Sequence, residues 1–181
     1  MIQLQKLTAD DTLFLKKVKK IYESSFPAVE RREYKEVKDL LSDQRFSLFA
    51  VTFENETVGM LSKWDFQTFV YIEHFAISSV FRGNGLGTYV LQKLIQEDDR
   101  QIVLEVELPE DEISLKRIKF YERNGFIICH ESYIQPSYDK DKSSLPMMIM
   151  VKHAINTLHD FHAIRKTLYQ EVYGFFETSI D

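Results

Sequence analysis

The chain has 181 residues, a net charge of −5, and 44% hydrophobic and 28% charged side chains, which fits one soluble globular domain over residues 1–181 with a core of its own. The acidic balance argues against nucleic acid as a default partner, because a phosphate backbone needs a basic face; it suits a cationic substrate or simply a solvated acidic surface. A lone cysteine, Cys129, excludes an intrachain disulfide; no apolar run approaches the roughly eighteen residues of a membrane span, residues 1–6 lack the pattern of a secretion signal, and a cytoplasmic location is expected.

In chain order, residues 2–7 alternate as a short strand, and Asp10 or Asp11 can cap a helix with Leu13, Phe14, Val18, Ile21 and Tyr22 facing inward. Pro27 ends it, and a second amphipathic helix turns Tyr34, Val37, Leu40 and Leu41 inward. Residues 46–53 and 58–66 form a hairpin around a turn at 54–56, and residues 68–77 form a third central strand. A glycine-rich turn follows, then a helix to about Glu97 and a strand over 102–108. A helix over 114–123 stops at Asn124-Gly125. Strands over 126–134 and 147–151 flank a polar loop at 136–144, and a last helix runs over about 156–173. The order β-α-α-β-β-β-α-β-α-β-β-α indicates an α/β core with a mixed sheet.

Three of the six glycines lie in the turn Arg82-Gly83-Asn84-Gly85-Leu86-Gly87-Thr88, between the third central strand and a helix. Unpaired amides at the positive end of a helix dipole make such a turn a phosphate cradle. No lysine follows these glycines as a P-loop requires. A dinucleotide fingerprint fails in spacing, since Thr88 and Val90 stand where the third glycine belongs, although Glu105 downstream keeps that alternative in view. The segment resembles instead the Arg/Gln-x-x-Gly-x-Gly/Ala pyrophosphate loop of the GNAT superfamily of N-acetyltransferases. Tyr71-Ile72-Glu73-His74-Phe75-Ala76-Ile77 is similar to that superfamily's fourth strand, and Phe120-Tyr121-Glu122-Arg123-Asn124-Gly125-Phe126 to its Phe-Tyr-x-x-x-Gly-Phe signature. The two motifs lie in register, and the specific similarity covers about residues 68–129.

The resemblance implies a mixed, largely antiparallel central β-sheet flanked by helices on both faces, with a C-terminal helix over about 155–176. It also implies a coenzyme site for acetyl-CoA at about 68–129. Backbone groups of Gly83, Asn84, Gly85, Leu86, Gly87 and Thr88 would hold the pyrophosphate, with Arg82 shaping the loop or facing solvent. Main-chain groups at Phe75, Ala76 and Ile77 would pair with the pantetheine arm, provided the strand over 69–77 and the strand over 102–108 splay apart. Many relatives bond that region through an asparagine seven residues before the signature tyrosine; Ser114 stands there and leaves this contact in doubt. Lys116, Arg117 and Lys119 could meet the coenzyme's 3′-phosphate or form a solvated basic face.

Acetyl transfer to an amine needs a neutral nucleophile, and an alkyl ammonium with a pKa of about 10.4 is neutral only about once in 10³ to 10⁴ molecules at pH 7. A carboxylate in a partly desolvated cleft is a suitable base. Glu73 shares strand parity with Phe75 and Ile77, lies amid apolar neighbours, and resembles the glutamate proposed as base in polyamine acetyltransferases; a structural glutamate paired with an arginine is the other reading. Glu105 and Glu107 are runners-up, and His74, of opposite parity, reads as packed. Tyr121 matches the family tyrosine that protonates the departing thiolate. Residues 24–32 match the place where relatives build the acceptor pocket.

Cys129, in an apolar run, reads as a small buried residue, which favours direct transfer in a ternary complex. His159 and His162 have the spacing of a metal pair without a third ligand, so no metal is expected. The aromatic residues of the last helix suit packing on the body or on a second subunit of a homodimer. A primary amine on a small molecule is the expected acceptor, with a peptide or protein amine, or a non-catalytic acyl-CoA-binding module, as alternatives.

Overall fold

The computed structural model describes residues 1–152 and 158–176, without the side chains of residues 158 and 159. The chain divides into two compact units, Met1–Leu104 and Glu105–Asp181.

The first unit holds β1 (Ile2–Lys6), α1 (Thr12–Ser25), α2 (Tyr34–Asp39), β2 (Phe46–Phe53), β3 (Glu56–Asp65), β4 (Phe69–Ile77), α3 (Leu86–Glu97) and the start of β5 (Gln101–Glu107). Strands β1 to β4 pair antiparallel in sequence order, and β5 joins β4 in parallel. Glu54 and Asn55 take positive φ at 51° and 67°, the twist that a tight hairpin turn demands. Helices cover both faces of this sheet. On one face Leu86 and Val90 of α3 pack against Val51, Val58 and Ile77. On the other the Tyr22 ring of α1 meets His74 edge-on at 4.9 Å. Gly59 is the close-approach point on the α3 face, since a Cβ there would stand 2.6 Å from the Ala76 carbonyl oxygen and 2.7 Å from Ile77 Cδ1.

Helix α1 buries Leu15, Val18, Ile21 and Tyr22, whereas Leu13 is 63% exposed. The inward stripe therefore begins two residues later than the sequence pattern suggests. Asp11 stands at the N-cap but turns its carboxylate back to Thr8, accepting from its backbone N–H at 2.8 Å and its hydroxyl at 2.9 Å.

The second unit contains the end of β5, α4 (Glu112–Arg123), β6 (Ile127–Ile128), β7 (Tyr133–Gln135), β8 (Leu145–Lys152) and α5 (Leu158–Thr167), which runs into a π-helical turn at Leu168–Val172. The strand expected over 126–134 is two short strands, both antiparallel to β8. From Ile128 to Tyr133 the chain advances five positions while β8 advances three, from Met150 to Met147. The surplus residues leave the ladder and split the strand. Phe161, Ile164, Leu168, Tyr169 and Val172 are buried, and the Tyr169 hydroxyl donates to the Ile134 carbonyl at 2.6 Å, so the last helix packs on its own chain. The first two residues of that expected helix, 156 and 157, lie outside the described residues. Among the described residues no helix is long and apolar enough to cross a membrane.

Candidate acyl-transfer site

The glycine turn begins where β4 ends. A short 3-10 turn (Ser79–Phe81) leads into Arg82, whose Nε donates to the Ile77 carbonyl at 2.8 Å and ties the loop to the strand. Asn84 Nδ2 donates to the Phe81 carbonyl at 3.3 Å. Gly83 and Gly85 have φ of 82° and 75°, and a Cβ at either would meet nothing within 4 Å. Their requirement is thus conformational, and the space above them is open. Gly85 caps α3 in the left-handed conformation without any side-chain cap, and the first helical bond runs from Tyr89 N–H to the Gly85 carbonyl at 3.0 Å. The amides of Leu86, Gly87 and Thr88 precede that bond and form the free end of the helix. Buried Leu86 anchors this end, while Gly83, Asn84, Gly85 and Thr88 are exposed.

The parallel ladder between β4 and β5 runs from Phe69↔Gln101 to Ile72↔Leu104. Glu73 to Ile77 lie beyond it, paired on their other edge with β3 through Phe75↔Leu61, Ala76↔Met60 and Ile77↔Gly59.

The β3–β4 ladder slips at the same place. Lys63 faces Ile72 and Ser62 faces His74, so Glu73 is the extra residue of a β-bulge. The bulge breaks the alternation that grouped Glu73 with Phe75 and Ile77. Phe75 and Ile77 join the apolar cluster on the α3 face, whereas Glu73 is held by groups on the α1 face. Arg32 Nε donates to Glu73 Oε1 at 3.0 Å and Trp64 Nε1 donates to Oε2 at 2.9 Å. Only 2% of the Glu73 side chain is exposed, against 12% for Arg32. Burial acts to raise the pKa of this carboxyl, but the Arg32 guanidinium, with His74 and the two hydrogen bonds, holds it below the ordinary value. His74 is buried between Tyr22 and Phe26, with Nε2 3.2 Å from the Glu30 carbonyl oxygen; burial lowers its pKa, and the Glu73 charge opposes this.

The pairing with Arg32 comes from a residue more than forty positions away and is invisible to strand parity. The other reading of Glu73, a carboxylate paired with an arginine, is the pairing found, and residues 24–32, which match the place of an acceptor pocket, contain that arginine. The lone tryptophan, Trp64, gave no sign of its role.

In the second unit Tyr121 is 7% exposed and its ring packs edge-on against Phe120 and Phe126. Burial pushes its pKa up to about 12; the Arg117 charge opposes this and the Glu107 charge adds to it. Its hydroxyl has no hydrogen-bond partner among the described residues, yet it is not among the buried atoms sealed without one. Ser114 is committed locally. Its N–H donates to Asp111 Oδ1 at 2.7 Å and its hydroxyl receives the Asp111 N–H at 3.1 Å, a capping box that starts α4.

Glu105 accepts hydrogen bonds from the Tyr133 hydroxyl, from Gln135 Nε2 at 2.5 Å and from the Tyr173 hydroxyl at 2.7 Å. Those three partners had no sequence signal. Glu107 pairs with Arg117, and exposed Lys116 with Glu112 at 3.1 Å. Cys129 is buried, and burial with the Glu131 charge raises its thiol to about 11. His159 lies outside the described side chains. Among the described residues no group of three or more His, Cys, Asp or Glu side chains is placed to hold a metal ion.

The profile described as "Acetyltransferase (GNAT) family" matches residues 15–126. Among solved structures, a "Putative acetyltransferase from GNAT family" of Bacteroides thetaiotaomicron is 34% identical, with a TM-score of 0.89 over 96% of this chain and 99% of that one. "Putative acetyltransferase YjbC" of Bacillus subtilis is 36% identical over 64 residues, 34% of this chain and only 33% of that relative's length. An aminoglycoside 6′-N-acetyltransferase complexed with coenzyme A shares the fold at a TM-score of 0.62, with 17% identity over 84% of this chain and 96% of that one.

Proposed function

Because the chain belongs to the acetyltransferase (GNAT) family, we propose that it transfers the acetyl group of acetyl-CoA to a primary amine of a small molecule, by direct attack in a ternary complex. The observation that carries the reading is the left-handed turn at Gly83 and Gly85, open above its glycines and leading straight into the uncapped first turn of α3. A pyrophosphate fits such a feature, since amides and helix dipole both favour an anion there. Amides of Gly83 to Thr88 would bind it, with Arg82 and Asn84 bracing the loop from behind. Backbone groups of Phe75 to Ile77, beyond the β4–β5 ladder, are the candidates to hold the pantetheine arm. Ser114 has no part in this scheme, because its hydroxyl serves the capping box.

Acetyl-CoA, when bound, supplies a thioester carbonyl open to attack by a neutral amine. Glu73 is ionised at neutral pH and uses one acceptor position on each oxygen for Arg32 and Trp64. A carboxylate offers about four such positions, so Glu73 can still accept the amine's proton, directly or through a water. Glu105 and Glu107 are less suited, being engaged by three donors and by Arg117 respectively. Tyr121 remains a protonated phenol at pH 7 and is the proton donor for the departing sulfur. A buried thiol raised to about 11 suits a packed residue better than a nucleophile, which supports direct transfer over an acyl-enzyme on Cys129.

Initial rates measured against both substrates test the order of events. Intersecting patterns, and no acetylated protein after incubation with acetyl-CoA alone, are expected. Parallel patterns, or an acetyl group recovered on Cys129, would contradict direct transfer.

A further inference from the structure

Glu73 does not stand alone on the α1 face. Arg32, at the end of the segment between α1 and α2, reaches it across 41 positions of sequence, and the backbone of Arg32 is itself pinned. The Tyr22 hydroxyl accepts the Arg32 N–H at 3.0 Å and donates to the Arg32 carbonyl at 3.3 Å. The next residue, Glu33, opens α2 through a reciprocal capping box with Glu36. The guanidinium is therefore delivered to Glu73 from a fixed point. Trp64 fixes the second oxygen, so the carboxylate plane is set by two donors on different elements. The β-bulge supplies the remaining condition by turning Glu73 toward this face.

We propose that Arg32 is a positioning residue for acetyl transfer, holding the Glu73 carboxylate ionised and oriented while tying the segment between α1 and α2 to β4. The proposal rests on the reading of Glu73 as the base. The groups acting on Glu73 are Arg32 from the segment after α1, Trp64 from β3 and His74 on β4, with the Tyr22 hydroxyl of α1 close enough to feel its charge; Arg31 lies over the Tyr22 ring and acts on Tyr22 and His74. Lys63 on β3 is occupied by Asp65 at 2.8 Å. Arg32 is the cation in direct contact with the carboxylate, and its removal leaves burial as the largest influence on Glu73.

The experiment follows the Glu73 carboxyl carbon by NMR in protein labelled with [δ-13C]glutamate, the signal being assigned with Glu73→Gln. The pH profile of kcat/KM is measured in parallel. In Arg32→Met the carboxyl titration is expected to move upward by about one pH unit or more, a tenfold change in proton affinity, and the acid limb of activity to move with it. Arg32→Lys, which restores a cation, should return both toward wild type. If Arg32→Met does not fold, Arg32→Gln, which keeps a donor without the charge, is expected to give the same upward movement. An unmoved carboxyl titration in a folded variant lacking the cation would overturn the role of Arg32. A titration that moves while the acid limb stays would overturn the proposal through its premise, removing Glu73 as the base although Arg32 controls its charge.

Discussion

Two residues divide the proposed proton traffic, and their surroundings set them apart. Tyr121 is a protonated phenol at neutral pH in any setting, and burial raises its pKa to about 12, so the proposed donor would persist well into the alkaline range. Tyr121→Phe should preserve the edge-on packing with Phe120 and Phe126 and lower kcat by about 10²-fold, with the coenzyme Kd changed no more than a few-fold; an unchanged kcat removes the acid role. Gly85 is limited by conformation, because its added Cβ would meet nothing while φ stands at 75°. Gly85→Ala should cost about 1 kcal/mol of backbone strain and weaken acetyl-CoA binding by about tenfold or more, read by calorimetric titration. Binding at wild-type affinity would count against this turn as the phosphate site.

Much of the element order was legible in the sequence. Turn chemistry at Glu54-Asn55, the glycines before α3 and Asn124-Gly125 after α4 mark boundaries through local backbone preferences, which act over a few residues. The two motifs likewise point to Glu73 and Tyr121, whose roles rest on the proposal. What was not legible depends on departures from regular periods. Counting by twos along β4 assumes an unbroken ladder, and the bulge at Glu73 turns that side chain from the Phe75 and Ile77 face to the α1 face. The same assumption ran β6 and β7 together, and the helical stripe read from Leu13 begins at Leu15, where packing places it. Long-range partners such as Arg32 for Glu73, or Tyr173 for Glu105, leave no local trace. Gly59 is a further case of tertiary constraint, since only packing against Ala76 and Ile77 explains it. Gly59→Ala should destabilise the protein by about 1–3 kcal/mol in chemical denaturation, through overpacking; a neutral result would mean that β3 and β4 can part without cost.

At the scale of the whole molecule, the buried Glu73 carboxylate links stability to pH. Its folded pKa lies below the ordinary 4.5, so its contribution is fully present above that value and is lost as pH falls through the folded one. Glu73→Gln should therefore flatten the fall of Tm on the acid side; a Tm profile parallel to wild type would mean that the carboxyl is not depressed in the folded state. The family and the open glycine turn point to acetyl transfer, and turnover is the most direct check. Release of the coenzyme thiol from acetyl-CoA should be followed with a panel of small primary amines and, in parallel, short peptides, with products identified by mass. The account predicts amine-dependent thiol release that yields an N-acetylated small molecule. Acetyl-CoA binding without turnover on any amine or peptide would contradict it.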